Sequence, residues 1–331
     1  MVTMRAVRVH GWGVPPVVDE VERPERGDGE TLVRVEAAAV AHLDRTVAGG
    51  DFGIKPDLPY VGGVEGCGVV VESDSMNAGD LVMLRGGGLG LKRNGTWAEF
   101  VVASDKHLRV LPEGMPAEIG ATFFVPLTTA AVGLHSVGKL GQWGLAGIET
   151  STDEVVVVGG AAGAVGSMVT QLALRDGATV LGVVADEAQA ETLPPGVEAV
   201  LAHDAEHAAR LAEERPGSLL VDTLGGSGLG DRCRWIRPGG RAVSIGYVAG
   251  ADVTLDLPNW LLQDVALLPV NMIRRDREAR ELADRLMPLL VSGEVTLGVE
   301  RFTFEEAPRA LELLGAGKLQ GRAVLVPEET P

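Results

Sequence analysis

Four consecutive valines, Val155 to Val158, run directly into the turn Gly159-Gly160-Ala161-Ala162-Gly163-Ala164-Val165-Gly166, and an amphipathic stretch from Ser167 to Arg175 follows at once. A β-branched run this short reads as a strand buried on both faces. Gly163 lets the backbone approach a ligand closely, and Gly166 lets the new helix pack tightly on the sheet. The helix N-terminus then offers unpaired N–H groups and a partial positive charge, which suit a pyrophosphate. The backbone of Gly160, Ala162, Gly163, Ala164, Val165 and Gly166 is therefore the expected cradle. Ala161 stands where the usual fingerprint has its first glycine, and its methyl group is expected to widen the turn slightly. An ordinary turn between strand and helix, with no ligand, is the competing reading.

The downstream pattern supports the first reading. A second strand spans Thr179 to Val184, a helix lies around Asp204 to Glu214, and further strands run from Ser218 to Asp222 and from Arg241 to Ile245. Such a βαβαβ series implies a parallel, doubly wound sheet. Asp186 lies just past the second strand, at the distance where an acidic side chain binds the ribose of a dinucleotide.

Composition narrows the class. A chain of 331 residues with 46% hydrophobic residues has length for two globular domains. The net charge of −17 opposes nucleic acid or an anionic membrane as the main partner. No stretch approaches the length of a membrane span and no signal-peptide pattern opens the chain, so a soluble cytoplasmic protein is the expectation. Two cysteines, Cys67 and Cys233, can form neither a disulfide framework nor a four-cysteine zinc knot. Both read as small buried hydrophobes.

Residues 1–125 show short alternating strands at Met4 to Val9, Thr31 to Val40, Cys67 to Glu72, Asp80 to Leu84 and Trp97 to Val102, which suggest a small, mostly antiparallel barrel. The period turns helical over Pro126 to Leu140, and Gly138 to Ser151 reads as a glycine-rich loop. Near the C-terminus, a helix (Arg277 to Leu290), a strand (Val299 to Phe304), a helix (Glu305 to Leu314) and a closing strand (Gly321 to Val326) return to the first domain. The expected division is 1–125 with 272–331, and 126–271.

In order along the chain stand Gly62-Gly63-Val64-Glu65-Gly66-Cys67-Gly68-Val69-Val70, Asn94-Gly95-Thr96-Trp97-Ala98-Glu99-Phe100, Pro126-Leu127-Thr128-Thr129-Ala130, the glycine turn, Val221-Asp222-Thr223-Leu224-Gly225-Gly226 and Pro238-Gly239-Gly240-Arg241. Together they resemble the medium-chain dehydrogenase/reductase superfamily, in its zinc-free quinone-oxidoreductase-like branch. The resemblance implies an α/β fold in which a Rossmann doubly wound parallel sheet accompanies a GroES-like antiparallel β-barrel completed by the C-terminus. Zinc members of the family carry a cysteine where Ala41 stands and a histidine where Val64 stands. Neither replacement has a lone pair, and Glu65 alone does not hold a catalytic zinc, so no metal is expected. The segment between Leu84 and Thr96 also lacks the cysteine lobe of structural zinc. Quinone-oxidoreductase relatives have an asparagine where Ala41 is, so substrate contacts there do not carry over.

The resemblance further implies cofactor contacts from His42, Thr129, Leu224, Ile245, Gly246, Tyr247 and Arg322. A surface histidine, a strand cap at Tyr247 and an exposed arginine are the plain alternatives. Thr128 is an alternative to Thr129. Tyr60 is a candidate proton donor, or else packs beside Pro59. Asp44 reads as an organiser of barrel backbone. Trp143, Trp235 and Trp260 read as core or interface anchors, and His135 as a structural histidine. His203 and His207 show no partner pattern.

Without a Lewis acid, hydride transfer from NAD(P)H to a quinone or an α,β-unsaturated carbonyl compound is the expected activity, because the substrate's own carbonyl delocalises the charge. A metal-free carbonyl or alcohol dehydrogenase, or a cofactor-binding structural or sensory protein without turnover, are the alternatives. Asp186 repels a 2′-phosphate and no lysine or arginine lies between Asp176 and Ala209, which leans toward NADH. Against this, Ala185 occupies the usual place of the family's NAD-type aspartate. A small-molecule substrate is the expected partner. A homodimer is expected, because the edge strand at Leu267 to Val270 would otherwise stay unpaired.

Overall fold

The computed structural model describes residues 2–142, 153–319 and 321–327. Trp143 and most of the expected 138–151 loop lie outside the described residues. Two compact units divide the chain: Met1–Phe124 with Leu297–Pro331, and Val125–Thr296.

The first unit begins with β1 (Thr3–Val9), β2 (Val17–Glu22), β3 (Glu30–Val40), α1 (His42–Gly49), β4 (Tyr60–Val61), β5 (Glu65–Glu72), β6 (Leu81–Arg85), β7 (Phe100–Ser104), β8 (Leu108–Val110) and α2 (Ala117–Thr122). The chain then enters α3 (Phe124–Ala131), which runs on as a π-helical segment over Val132–Val137. The helical period over 126–140 is thus two windings rather than one uniform helix.

The second unit carries β9 (Val155–Gly159), α4 (Ala164–Arg175), β10 (Thr179–Val184), α5 (Glu187–Ala190), β11 (Val197–Leu201), α6 (Ala205–Glu214), β12 (Gly217–Asp222), α7 (Gly228–Cys233), β13 (Ile236–Ser244), α8 (Leu257–Gln263), β14 (Ala266–Pro269) and α9 (Asp276–Val291). Its six strands lie in the order β11-β10-β9-β12-β13-β14, every neighbouring pair parallel. Val156, Val157 and Val158 are fully buried, as a strand covered on both faces requires. The strand order reverses between β9 and β12, and ligands of such sheets bind at the carboxyl ends of the strands at that switch point. β11 is a strand that sequence reading does not anticipate. Its Val197-Glu198-Ala199-Val200-Leu201 has only one buried residue, Val200, because it lies at the sheet edge.

The first unit is completed by β15 (Val299–Phe302), α10 (Ala307–Gly315) and β16 (Arg322–Leu325). One sheet runs β15-β16-β3-β5-β6-β8 with β7 on β3, and a second runs β2-β1-β4. β16 pairs antiparallel with β3, Ala323 opposite Val40, so the C-terminal strand closes the antiparallel unit. The core of this unit centres on Trp97, fully buried, whose indole N–H donates to Ala39 O at 2.9 Å. A Cβ on Gly62 would stand 2.3 Å from that indole, so the glycine pair Gly62-Gly63 is what lets the chain pass over the ring.

One boundary needs correction. Residues 272–296, assigned by sequence to the first domain, belong with the second unit. Gln171 of α4 donates to Thr296 O at 2.8 Å and accepts from Thr296 N–H at 2.8 Å, and Arg175 pairs with Glu294 at 2.6 Å. An amphipathic period reports that α9 has an apolar face, but not which sheet that face covers.

Candidate functional site

The glycine turn stands where β9 ends and α4 begins. Gly160 has φ of 79°, a backbone state open to glycine, and a Cβ there would meet Thr223 Oγ1 at 2.6 Å. A Cβ on Gly166 would lie 2.0 Å from Gly160 O, so the first turn of α4 packs directly on the loop. Gly163 is exposed, and a Cβ on it would meet only Gly160 O, at 3.3 Å. It is also the N-cap of α4, with no side-chain cap and no acidic residue in the first turn. By contrast α6 and α8 begin at Asp204 and Asp256, whose carboxylates accept from His207 N–H and Asn259 N–H. A twelve-residue helix with a side-chain-free cap leaves its leading N–H groups available to an anion. The backbone of Gly160 and Ala162 to Gly166 therefore fits a pyrophosphate.

Two further loops converge on this end of the sheet. Thr223 donates its hydroxyl to Gly159 O at 2.7 Å, and Ala249 N–H donates to Leu224 O at 2.8 Å. A Cβ on Gly246 would stand 2.4 Å from Thr223 O. Leu224, Ile245 and Gly246 thus lie in adjoining loops beyond β12 and β13, while Tyr247 extends into solvent at 77% exposure. Asp222, whose role sequence reading misses, organises the loop after β12. Fully buried, it accepts from Leu224 N–H (3.1 Å), Gly225 N–H (2.7 Å) and Arg232 Nε (2.5 Å). Arg232 also donates to Gly225 O at 3.0 Å, so the two buried charges are paired with each other and tied to the loop backbone. The Asp-Thr-Leu-Gly-Gly stretch is the visible signal, because an aspartate ending an apolar strand before paired glycines must find donors nearby.

At the end of β10, Asp186 is the N-cap of α5 and accepts from Gln189 N–H at 2.9 Å. Ala185 donates its N–H to Gln189 Oε1 at 3.0 Å, and its carbonyl oxygen lies 3.3 Å from His203 Nδ1. His203 thus has a partner that sequence reading does not supply. Thr128 and Thr129 are both buried on α3. Trp235 is buried, and Trp260 donates to Val265 O at 2.5 Å, so both anchor structure. His135 bonds Asp176 at 2.6 Å.

In the first unit, Asp44 is 3% exposed and accepts from Ala41 N–H (2.8 Å), Gly63 N–H (3.2 Å) and Val64 N–H (3.0 Å). It therefore ties the start of α1 to the segment leading into β5. Burial pushes its pKa up to about 7, and the neighbouring Glu65 adds to the rise. Glu65, itself buried, pairs with Arg85 Nε at 3.0 Å and with an Arg322 terminal nitrogen at 3.4 Å. The Arg85 guanidinium lies 4.3 Å from the centre of the Phe124 ring. His42 keeps an exposed edge, yet the protein around its ring lowers its pKa, and the charges of Arg322 and Arg45 lower it further. Tyr60 is 4% exposed in an apolar cluster with Val9, Trp12 and Val47, and burial pushes its phenol above the usual range. Cys67 is fully buried and burial likewise raises its thiol.

The chain matches two families: the one described as alcohol dehydrogenase GroES-like domain, over residues 27–113, and the one described as zinc-binding dehydrogenase, over residues 164–288. It is 27% identical to an alcohol dehydrogenase of Geobacillus stearothermophilus, over 97% of this chain and 98% of that one. It is 26% identical to the quinone oxidoreductase of Mus musculus, over 98% of each. Its fold superposes on the Escherichia coli quinone oxidoreductase solved with NADPH, with a TM-score of 0.77 at 22% identity, covering 98% of this chain and 100% of that one.

The name of the second family implies zinc, and the donor set does not fit one. Ala41 and Val64 are buried without a donor atom, and Glu65 is engaged by two arginines. Among the described residues, no three His, Cys, Asp or Glu side chains gather as a metal-binding group. No helix among them is long and apolar enough to cross a membrane. With an antiparallel GroES-like unit, a six-stranded doubly wound sheet and both family matches in chain order, this protein belongs to the medium-chain dehydrogenase/reductase superfamily, on its quinone-oxidoreductase-like branch, and is an oxidoreductase of that family.

Proposed function

We propose that this oxidoreductase uses NAD(P)H to reduce a quinone or an α,β-unsaturated carbonyl compound without zinc. The observation that carries the reading is the set Ala41, Val64 and Glu65: two buried side chains with no lone pair and one carboxylate already paired. The relatives bear both alcohol dehydrogenase and quinone oxidoreductase names, and this set favours the second. Alcohol oxidation by the zinc route needs a Lewis acid on the substrate oxygen. A conjugated carbonyl or quinone delocalises the incoming charge itself, so the protein mainly orients the reactants and excludes water.

A bound reduced nicotinamide supplies hydride. In this reading the backbone of Gly160 and Ala162 to Gly166 holds the pyrophosphate, Gly163 by leaving room for its close approach, since the Gly163 N–H itself donates to Gly160 O at 3.0 Å. Ala185 and Asp186 hold the adenosine ribose, and the backbone at Leu224, Ile245, Gly246 and Tyr247 borders the nicotinamide half. Thr129 is the proposed hydroxyl contact. Arg322, beside Glu65, is the proposed cationic contact to an anionic group, and His42, whose lowered pKa favours the neutral ring, is a proposed hydrogen-bonding one. Asp186, with no lysine or arginine between Asp176 and Ala209, favours NADH.

We also propose a homodimer through the outer edge of β14. That strand ends the sheet, and Leu262 (81% exposed) and Ile273 (90% exposed) flank it. Light scattering on wild type and Leu262→Asp tests this: a dimer that the charge converts to monomer supports it.

The activity is tested by following NADH and NADPH oxidation with a panel of enones, quinones and simple aldehydes, before and after chelator treatment. Enone or quinone turnover that survives the chelator is expected. Turnover confined to aldehydes or alcohols, or abolished by the chelator and restored by zinc, would overturn the reading.

A further inference from the structure

Beyond β10 and β11 the chain places one imidazole where the adenosine ribose of a dinucleotide is read. Leu201 pairs with Val184 at the last register of these strands, and Ala202 N–H donates to Val184 O at 2.8 Å. His203 follows directly. Its Nδ1 lies 3.3 Å from Ala185 O, and a carbonyl oxygen only accepts, so Nδ1 carries the proton. Nε2 of the exposed ring is then left to face solvent as an acceptor when neutral and as a donor when protonated. The residue before it, Ala202, borders a hollow of about 410 Å³ between α6 and α7 together with Val183, Gly228, Asp231 and Arg234.

We infer that His203 is a specificity-determining residue for the adenosine ribose, exchanging a 2′-hydroxyl for a 2′-phosphate as its ring gains a proton. This rests on the dinucleotide reading above. The ribose of a doubly wound sheet is recognised at the carboxyl end of the second strand, which here is β10. As a neutral ring, Nε2 accepts from a 2′-hydroxyl. As a cation, it pairs with a 2′-phosphate and offsets Asp186. Between Asp176 and Ala209 the sequence has no lysine or arginine, and its other imidazole, His207, faces Glu198 at 3.3 Å. The charged groups on the elements that flank His203 are Asp186 and Glu187 at the start of α5 and Asp204 at the start of α6, while Glu213, Asp231, Arg232 and Arg234 border the hollow that Ala202 lines. Asp204 is held by His207 N–H and sits within the electrostatic reach of His203.

Binding, not turnover, tests this. The fluorescence of NADH and NADPH is titrated with wild type, His203→Gln and His203→Lys at pH 6 and pH 8. In wild type, NADPH affinity relative to NADH should rise about tenfold from pH 8 to pH 6, the worth of one charge-assisted hydrogen bond. His203→Gln should lose most of that rise, and His203→Lys should bind NADPH well at both pH values. Equal pH dependence in wild type and His203→Gln would overturn this inference alone. No binding of either dinucleotide would overturn the cofactor reading, and this inference with it.

Discussion

The methyl group of Ala161 lies against Gly182 of β10: a Cβ built on Gly182 would stand 3.0 Å from Ala161 Cβ. The alanine at the first fingerprint position is therefore accommodated sideways, into the neighbouring strand, and the expected widening of the turn is unnecessary. Ala161 is fully buried and its N–H still donates to Val183 O at 2.9 Å. Gly182→Ala should destabilise the protein by about 1–3 kcal/mol through overpacking. Adding Ala161→Gly should return part of that loss, because Val197 and Leu193 also crowd the site. Denaturant unfolding of the four proteins in a double-mutant cycle measures the coupling, and strict additivity would refute the contact.

Gly163 and Gly166 should separate binding from folding. Gly166→Ala places a methyl group 2.0 Å from Gly160 O and should cost several kcal/mol of stability as the turn opens. Gly163→Ala meets only one atom, at 3.3 Å, and should keep wild-type stability within about 1 kcal/mol. Dinucleotide affinity should nevertheless fall about tenfold or more, since the methyl group occupies the exposed face of the cap. Thermal melting paired with cofactor titration distinguishes the two. Equal losses of stability in both variants would contradict the geometry.

Asp44 should leave a signature in stability against pH. Its folded-state pKa of about 7 lies above its ordinary value of 3.8, so the folded chain retains a proton that the unfolded chain has released. The stability this group contributes is full below about pH 4, declines as pH rises to about 7, and is level above that. The decline amounts to roughly 4 kcal/mol at most. Asp44→Asn does not titrate, so the wild-type minus variant difference isolates the effect from other carboxylates such as Asp74 and Glu154. Parallel curves for the two proteins would count against a proton at Asp44.

Tyr60→Phe tests the proton-donor candidate. The ring packs with Val9 and Val47, and its centre lies 6.2 Å from that of Trp12, so the variant should fold normally. Turnover should change by less than about threefold, whereas loss of a general acid costs about a hundredfold or more. Steady-state kinetics of the reduction decide between packing and acid catalysis.

Much of this architecture was legible in the chain because period and glycine placement are local. The valine run, the turn and the strand at Thr179–Val184 each carry their own signal, and the sheet order follows from their succession. Asp44 was legible as an organiser of backbone, since an aspartate near a helix start finds N–H donors. What escaped reading depends on partners distant in sequence. The Gln171–Thr296 bonds that fix residues 272–296 to the second unit span 125 positions. The His203–Ala185 contact depends on β11 lying beside β10, and β11 itself is a half-exposed edge whose pattern is weak. Arg232 on Asp222 required knowing that α7 turns back over the strand end.

At the amino end of the same parallel sheet, Arg241 donates to both carboxylate oxygens of Glu154, at 3.0 and 3.1 Å, and to Gly138 O at 2.6 Å. Ser218 adds its hydroxyl to Glu154, and these bonds hold the carboxylate below its usual range despite the opposing effect of burial. That end is sealed by ionic and backbone contacts, whereas the opposite end leaves helix donors open beyond the glycine turn. The strands therefore work as struts between a clamped base and an adaptable rim. A lineage built on such a plan can exchange the loops that choose a substrate while the clamp beneath them stays as it is.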